Sequence, residues 1–377
     1  MKSTSDHLHK FRGGNRIAGL PGVPETCEAL DTLSGPDRNS ILLSTFSARA
    51  DEAGPKDIVE GSSLHQPSGV AARDIHQLEG IIFGCLEDAE FVTLSPLQPI
   101  GTNAFLADID QKTVFSSLRG SEVNADITTS LFRIAIARWE SNMAEPPTVH
   151  LAGNARITRG QAFDQKSNLV PHFSMFGQVT IGKQARAQGT SELEYTASHI
   201  VNEIDILRSV ASSSGFEVAA MDIEIGNTLL LHGLHEQGIV DIKDIMAARK
   251  EDSRCDPFRE LNIDLPAHLS LDTPDIGTVL RDVGFTKGTG VIERFKEIMQ
   301  IRDDISASIT LDTARTAGIN YYKGMCYKLR MVNAKGASLS VGDGGVTDWA
   351  ARCGYGKKSF TVTSGLGTEM IARHFAE

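Results

Sequence analysis

The sequence has no long apolar segment, no excess of basic residues and few cysteines. Its longest apolar runs, such as TLLLH at 228–232, are too short to span a bilayer, and the start MKSTSDHLHKF lacks the apolar core of a secretory signal. A formal charge of −11 gives no overall positive field to attract nucleic acid or an anionic membrane. Five scattered cysteines without a CxxC pair favour reduced thiols over disulfides or a zinc site. We therefore expect a cytoplasmic protein with no membrane partner.

The chain does contain enough apolar residues for a substantial core, since 41% of its 377 residues are hydrophobic. Its composition changes near residue 70. Residues 1–69 are rich in Gly, Ser, Pro and Asp, with LPGVPE, SGPD and AGPKD among them, and this predicts an irregular N-terminal arm. Residues 70–377 predict one domain, with a mostly helical insertion at about 239–304.

Hydrophobic periodicity predicts an α+β fold for this domain. Helices are expected after Ser68, at 192–212, at 227–238 in NTLLLHGLHEQG and at 368–375 in TEMIARHF. Alternating residues predict a hairpin from TVHLAGNARI and LVPHFSMFGQVTIG, and strands in EVAAMDIEIG, ITLD, GMCYKLRMV, ASLSVGDGG and KSFTVTSGLG. Prolines place the strand beginning FVTL near a sheet edge. The segments GDGG and SGLG lack a GxGxxG or GK[ST] signature and predict turns.

The order of several blocks resembles one known family. LRGSEVNADITT, the hairpin GNARITRGQ…FSMFGQVTIG, the tract AGINYYKGMCYKL, the turn VGDGGVTDW and the final TSGLGTEMI follow each other as in the catalytic domain of class II aminoacyl-tRNA synthetases of the histidyl type. The resemblance covers roughly residues 70–377. It implies an antiparallel sheet flanked by helices, and a homodimer whose interface includes the helix and strand at 73–99.

The resemblance also implies an amino-acid pocket. The residues it assigns to ligand contact are Arg119, Glu122, Asn124, Asp126, Gln178, Asn320, Tyr321 and Tyr322. In the family the Tyr-Tyr tract sits on a central strand beside the pocket. The alternation of a strand allows another interpretation, with one tyrosine in the core and the other at the surface. Glu122 either binds an ammonium group or pairs with Arg119 at the surface.

Adenylate formation requires fixed cations around the α-phosphate of ATP. Arginine is the most suitable side chain because its guanidinium group can donate two parallel hydrogen bonds to phosphate oxygens. The resemblance assigns Arg156 as the catalytic and nucleotide-binding arginine, Arg159 as a further nucleotide contact, and ATP with Mg²⁺ as cofactors. Several family residues are missing, because Thr158, Ala317, Asn320, Val346 and Met370 stand where the family has charged groups. Each lost donor to the transition state commonly costs about 2.7–4 kcal/mol.

Other charged residues have weaker signals. Lys323, Lys357 and Lys358 either replace the missing arginines or are ordinary solvated lysines. His232 and His235 lie three residues apart, but HGLHE lacks the HExxH order of a zinc protease. We therefore expect no metal site.

The departures from the family motifs lead to two main hypotheses, and whether the chain is an enzyme stays open. The histidyl enzymes carry an anticodon-reading domain after the third motif, and this chain stops shortly after that motif. The first hypothesis is thus a paralogue that does not charge tRNA and binds an amino-acid-like small molecule. It would act as a regulatory subunit with a partner enzyme, as the synthetase-like regulatory subunit of ATP phosphoribosyltransferase does. The alternative is an ATP-dependent amino-acid-activating ligase with a non-tRNA acceptor. A purely structural partner is a third interpretation.

Overall fold

The computed structural model describes residues 3–8, 14–86, 88–140, 147–160, 170–184, 190–251, 255–300, 309–356 and 358–376. The strands of this part of the chain are short at its start and long around the hairpin. They are β1 (Glu90–Phe91), β2 (Leu97–Pro99), β3 (Ser116–Ser117), β4 (Ser121–Val123), β5 (Val149–Thr158), β6 (His172–Lys183), β7 (Val218–Asn227), β8 (His268–Ser270), β9 (Ile309–Asp312), β10 (Met325–Asn333), β11 (Ser338–Thr347) and β12 (Ser359–Leu366).

The helices precede, cover and follow these strands. They are α1 (Thr4–Leu8), α2 (Gly14–Ala18), α3 (Val23–Thr32), α4 (Gly35–Asp51), α5 (Pro55–Glu60), α6 (Ala72–Cys85), α7 (Thr102–Ala107), α8 (Ile127–Glu140), α9 (Thr190–Ser212), α10 (Thr228–Glu236), α11 (Ile242–Glu251), α12 (Pro257–Glu260), α13 (Ile276–Asp282), α14 (Thr289–Gln300), α15 (Trp349–Arg352) and α16 (Thr368–Phe375). Two short 3₁₀ helices lie at Ser63–His65 and Gln111–Thr113.

Nine strands form one sheet in the order β1-β5-β6-β12-β11-β10-β7-β9-β8, and β2, β4 and β3 form a small second sheet. The pairs of the large sheet are antiparallel, except that β1 runs parallel to β5 and β9 runs parallel to β7. The sheet is therefore mostly antiparallel with helices set beside it, which confirms the predicted α+β class. β1, which ends at the Phe of FVTL, lies at the sheet edge, as the prolines that follow it predict.

Helices cover both faces of the large sheet. One apolar cluster combines side chains of α6 and α9 with Phe176, and a second combines side chains of α8 with Val179 and Ile181. All three of these strand residues belong to β6. Because successive strand residues point to opposite faces, β6 contributes to both layers and is buried along most of its length.

The predicted hairpin and the predicted helices are confirmed. β5 and β6 pair from Val149↔Ile181 to Thr158↔His172, and the tip at 161–169 lies outside the described residues. The side chain of Asn227 caps α10 by accepting from Leu229 N, and Gly238 follows the helix with a φ of 72°. In the predicted insertion, α11 to α14 are helical, and β8 adds a short strand at the far edge of the sheet.

The N-terminal segment is helical, in contrast to the irregular arm that its composition predicts. The glycines and prolines contribute to that prediction, but several of them stand where helices begin. α3, α4 and α5 each carry a proline in the first turn, and Ser34 caps α4 by accepting from Asp37 N. Proline is tolerated at that position because its missing N–H would have no partner inside the helix.

Two predictions for the C-terminal strands are wrong. Tyr321 and Tyr322 lie in a turn before β10 and not on the strand itself. The glycines of GDGG lie within β11, and SGLG runs to the end of β12. A Cβ at Gly344 would come within 2.6 Å of the Tyr327 ring. Close packing against this ring, and not a turn, therefore requires the glycine.

No disulfide joins the five cysteines, all of which lie in the described part of the chain. In that same part, no helix combines the length and the apolar character that crossing a membrane requires.

Candidate functional site

A cavity of about 540 Å³ opens over three adjacent strands of the large sheet, β6, β12 and β11. The turn before β10, the start of α8 and the helix α16 form other parts of its wall. Its polar and charged lining residues are Asp126, Thr128, Arg159, Tyr321, Tyr322, Ser340, Asp343, Thr363, Ser364, Glu369 and Arg373. A cavity of this size with a few converging charged groups is typical of a small-molecule site.

One wall of the cavity carries the ion pair between Asp126 and Arg159. Asp126 precedes α8, and its Oδ1 accepts hydrogen bonds from the backbone N and the hydroxyl of Thr128, at 2.9 and 2.7 Å. Its Oδ2 lies 3.7 Å from Arg159 Nη2. Arg159 also donates to Ala125 O at 2.7 Å, and its guanidinium lies 5.8 Å from the ring centre of Phe173. The two charges are thus fixed and neutralise each other.

The floor carries the two adjacent tyrosines. The rings of Tyr321 and Tyr322 meet edge to face with centres 4.8 Å apart, and Tyr321 makes a similar contact with Trp349 at 5.4 Å. The hydroxyl of Tyr321 lies 3.1 Å from Thr128 Oγ1, and that of Tyr322 donates to Asp343 Oδ2 at 2.7 Å. Burial raises the pKa of both phenols well above the ordinary value, so both act as neutral groups.

Glu369, at the start of α16, joins two arginines. Its Oε2 lies 2.9 Å from Arg156 Nη2 and accepts from Ser174 N, and its Oε1 lies 3.2 Å from Arg373 Nη2. The Glu369 side chain is 4% exposed and that of Arg156 is 40% exposed. Arg156 also donates to Nδ1 of His172 at 2.8 Å. One carboxylate therefore compensates two guanidinium groups, which leaves an excess of positive charge.

The N-terminal segment reaches the same place. The hydroxyl of Ser68 donates to Glu369 Oε1 at 2.7 Å, and the backbone oxygen of Gln66 lies 2.8 Å from His172 Nε2. The chain just before α6 thus contacts both the hairpin and α16 beside the cavity.

A buried polar network lies behind the cavity floor. The hydroxyl of Tyr327 donates to Glu203 Oε2 at 2.9 Å, and Ser364, which lines the cavity, contacts Nδ1 of His199 at 3.0 Å. His199 Nε2 in turn contacts the hydroxyl of Thr180 at 2.8 Å. Burial raises the pKa of Glu203 to about 8 and lowers that of His199 well below its ordinary value. Both groups are therefore uncharged near neutral pH.

The structure brings four of the predicted site residues to the cavity: Asp126, Arg159, Tyr321 and Tyr322. Both tyrosines line it, so the interpretation with one of them at the protein surface is wrong. Arg156 lies beside the cavity and is not one of its lining residues. It forms an ion pair with Glu369, which does line the cavity.

Three predicted contacts in the LRGSEVNAD block lie elsewhere. Glu122 is fully buried in the small sheet, where it accepts from the backbone N atoms of Gly101 and Asn103, both at 2.8 Å. Arg119 is exposed in a turn with a φ of 68°, and the predicted surface pair between the two is absent from the described contacts. Asn124 is buried and donates to Ser95 O at 2.7 Å. Glu122 and Asn124 therefore stabilise local structure.

The last two predicted contacts are also separated from the cavity. Gln178 lies on the other face of β6, where its Oε1 contacts His150 Nε2 at 3.2 Å and accepts from Asn202 at 3.1 Å. The cavity face of β6 carries Met175 instead, because side chains alternate along the strand. Asn320 is exposed in the tyrosine turn and does not line the cavity.

Among the described residues, Lys323, Lys358, His232 and His235 do not line the cavity. Lys323 and Lys358 are exposed, and Lys357 lies outside the described residues. Ligand atoms of three other residues, Glu224, His268 and Asp312, lie within 4.8 Å of one another. Arg315 and Arg249 already pair with the two acids of this cluster, at 3.6 and 3.0 Å. A metal ion would therefore have to displace both arginines.

Sequence reasoning missed three charged residues of the cavity. Asp343 was assigned to a turn, although its place in a strand beside Gly344 and Gly345 follows the strand alternation. Glu369 belongs to the block TSGLGTEMI, which carries the resemblance, but no role was predicted for it. Arg373 lies three residues after Met370, on the same face of an amphipathic helix, and this spacing could have identified it.

Comparisons with known proteins support the fold alone. No model of a protein family matches the chain, and no curated protein matches it. Similar crystal structures include the following three. A protein described as an ATP phosphoribosyltransferase regulatory subunit/histidyl-tRNA synthetase from Bacillus halodurans is 14% identical, with a TM-score of 0.62, over 83% of this chain and 84% of that one. Histidyl-tRNA synthetase from Nostoc sp. is 17% identical, with a TM-score of 0.58, over 82% and 73%. A histidine–tRNA ligase subunit from Alicyclobacillus acidocaldarius is 15% identical, with a TM-score of 0.56, over 83% and 97%. The chain therefore has the class II synthetase-like fold, and the resemblance stated from its motifs is confirmed at that level.

Proposed function

We propose that this chain, with its histidyl-type class II fold, binds an amino-acid-like small molecule in the cavity and does not charge tRNA. It acts in the cytoplasm as a regulatory subunit of a partner enzyme. The observation that carries this proposal is the ion pair between Arg156 and Glu369. The arginine that the family would use on ATP is bound to a carboxylate of its own chain.

The electrostatics of adenylation support the first part of this proposal. A phosphate group would have to compete with Glu369 for the guanidinium of Arg156. Met370 and Ala317 stand where the family has two further arginines, so the remaining fixed cations are few. Because fixed cations supply most of the stabilisation of such a transition state, adenylate formation would be slow.

The test is ligand binding measured apart from ATP turnover. We expect at least one of the twenty standard L-amino acids to raise the melting temperature of the protein without ATP. Ser340 is exposed at the cavity wall, so Ser340→Trp should remove this effect by filling the cavity, and Lys335→Trp in an exposed turn is the matched control. If no amino acid shifts the melting temperature, the proposal fails and a purely structural role is favoured.

A second candidate is an ATP-dependent ligase that activates an amino acid for a non-tRNA acceptor. The observation in its favour is that Arg159 and Arg373 both line the cavity. The carboxylates of Asp126 and Asp343 are of the ligand type that Mg²⁺ prefers, so the lining residues are compatible with ATP and Mg²⁺. ATP would supply the adenylyl group: the amino-acid carboxylate would bond to the α-phosphorus, the bond between the α- and β-phosphates would break, and pyrophosphate would leave.

Amino-acid-dependent exchange of pyrophosphate into ATP separates the two candidates. The ligase predicts exchange with some amino acid, and a loss of roughly 10²-fold or more in Arg156→Ala. Unchanged exchange in that variant would reject the role of Arg156. Binding without any exchange favours the regulatory subunit.

We further propose a homodimer that uses the region 73–99. The apolar side of α6 is less available than its sequence predicts, because Leu78 and Ile82 are buried within the chain. Phe83 is 51% exposed and packs edge to face on Phe91. Light scattering at micromolar concentration should give twice the monomer mass, and Phe83→Asp should give the monomer mass. A monomeric wild type would contradict this proposal.

A further inference from the structure

Asp343 has an unusual position for a charged side chain. It lies in the middle of β11, between two paired strands, opposite Lys328 of β10 and Gly365 of β12. From Val341 to Thr347 of β11, every residue except Asp343 is buried. Asp343 is nevertheless exposed, and it lines the cavity. Its neighbour Gly365 has no side chain to cover it, so the carboxylate faces the open cavity.

Tyr322 fixes the orientation of this carboxylate. The phenol is 4% exposed, and its hydroxyl donates to Asp343 Oδ2 at 2.7 Å. The ring is held against Tyr321, and it packs against Gly318, where a Cβ would come within 2.6 Å of it. Gly318 has a φ of 73°, so a side chain there would be unfavourable for two reasons. No other hydrogen bond to the carboxylate of Asp343 occurs among the described residues, which leaves its Oδ1 free to accept.

Asp343 differs from the other charged lining residues in its ion pairs. Asp126 pairs with Arg159, and Glu369 pairs with two arginines. Within the described part of the chain, no cation lies within 4.0 Å of the Asp343 carboxylate. Lys328 and Arg315 interact with Asp343 only by longer-range electrostatic attraction. Burial lowers the pKa of Lys328, and Arg315 forms an ion pair with Glu224.

The cavity wall therefore carries uncompensated charge in two places. Asp343 is a fixed carboxylate with a free acceptor and no salt bridge. At Glu369, two guanidinium groups share one carboxylate, so positive charge is in excess there. A ligand that carries one cation and one anion would compensate both.

We propose that the Asp343–Tyr322 pair binds the protonated primary amine of the ligand. The ligand class is an amino acid with a free ammonium group, whose carboxylate is attracted by the arginines at Glu369. An ammonium group has three donors and no acceptor, so it matches a carboxylate whose second oxygen is free. This inference rests on the proposed binding function, and it assigns to Asp343 the discrimination between amines and other small molecules.

The experiment compares matched probes by isothermal titration calorimetry. The probes are the standard L-amino acid that binds most tightly and the same acid without its amino group. Wild type should bind the first at least roughly tenfold more tightly than the second, because a hydrogen-bonded charge pair is lost. Asp343→Asn should remove this preference, and Tyr322→Phe should reduce it while keeping the carboxylate. Asp222→Asn, at an exposed site on β7, should behave as wild type.

The possible failures are distinguishable. If the amino-free acid binds wild type as tightly as its parent, or if Asp343→Asn and Tyr322→Phe both keep the preference, this inference is wrong and the binding function stands. If neither probe nor any other amino acid binds wild type, the binding function and this inference fail together. Melting temperatures without ligand establish that each variant is folded.

Discussion

Arg156 of β5 and Glu369 of α16 form an ion pair with their charged atoms 2.9 Å apart. The pair connects the hairpin to the last helix at the margin of the cavity. Glu369 is nearly buried and also binds Arg373, so the three charges act as one unit. The guanidinium group of Arg156 therefore stabilises the cavity wall, and a ligand would have to compete with Glu369 for it.

The first prediction concerns this unit. Glu369→Gln should lower the free energy of unfolding by about 2 kcal/mol, less than for a fully buried pair, because Arg156 remains partly solvated. Urea denaturation measures the change. Glu260→Gln, at an exposed helix position, is the control and should have little effect. Equal stability of Glu369→Gln and wild type would show that the pair contributes nothing.

The second prediction concerns Glu203 and pH. Its pKa is about 8 in the folded protein because of burial, whereas the ordinary value is 4.5. The folded state then holds a proton that the unfolded state has lost, so this stabilising contribution is complete below pH 4.5 and is lost as pH rises through 8. Burial lowers the pKa of His199 and has the opposite effect at lower pH, so the clearest range is pH 7–8.

Between pH 7 and 8, the free energy of unfolding of wild type should fall by up to about 1.4 kcal/mol per pH unit relative to Glu203→Gln. Urea denaturation at several pH values gives this difference. Glu194→Gln, which is exposed on the same helix, should keep the slope of wild type. The same slope in Glu203→Gln would mean that the carboxyl is charged in the folded protein.

The third prediction separates local structure from ligand contact at Glu122. Glu122→Ala should lower the free energy of unfolding by about 3 kcal/mol, because it leaves the N–H groups of Gly101 and Asn103 without partners. Affinity for the proposed amino-acid ligand should stay within about twofold of wild type, since Glu122 does not line the cavity. Calorimetry well below the melting temperature tests this. Glu217→Ala, at an exposed position, controls for the loss of a carboxylate.

The fourth prediction uses two glycines. A Cβ at Gly344 would lie 2.4 Å from Ser364 Cβ and 2.6 Å from the Tyr327 ring, so Gly344→Ala should cost about 3 kcal/mol of stability. Gly80 lies in the exposed middle of α6 with no atom within 4 Å of a Cβ, so Gly80→Ala should add about 0.7 kcal/mol. Thermal unfolding of both variants checks the opposite signs. A neutral Gly344→Ala would show that the strands can separate slightly.

Much of the fold could be predicted from the sequence because its signals are local. Side-chain periodicity identified α9 and α10, and strand alternation identified the hairpin of β5 and β6. The N-terminal helices were missed because Pro36 and Pro55 begin helices here, and composition alone does not distinguish a helix start from a loop. The glycines of β11 were misassigned because their neighbours in space, such as Tyr327, are distant in sequence.

The site was predictable only in part for the same reason. Asp126 and Tyr322 lie in the blocks that carry the resemblance, and they reach the cavity. Glu122 lies in the same block, but the small sheet turns its side chain towards the backbone N of Asn103. For Gln178, the alternation of β6 allowed two faces, and only tertiary structure determines which face meets the cavity.

The contact between Ser68 and Glu369 joins positions 301 residues apart. A ribosome makes Arg156 long before it makes Glu369, so the growing chain holds this arginine for most of its synthesis without the carboxylate that later binds it. The cavity wall is therefore completed only after α16 has emerged and docked. Until then the guanidinium group of Arg156 has only partners from the hairpin, His172 and Ser174.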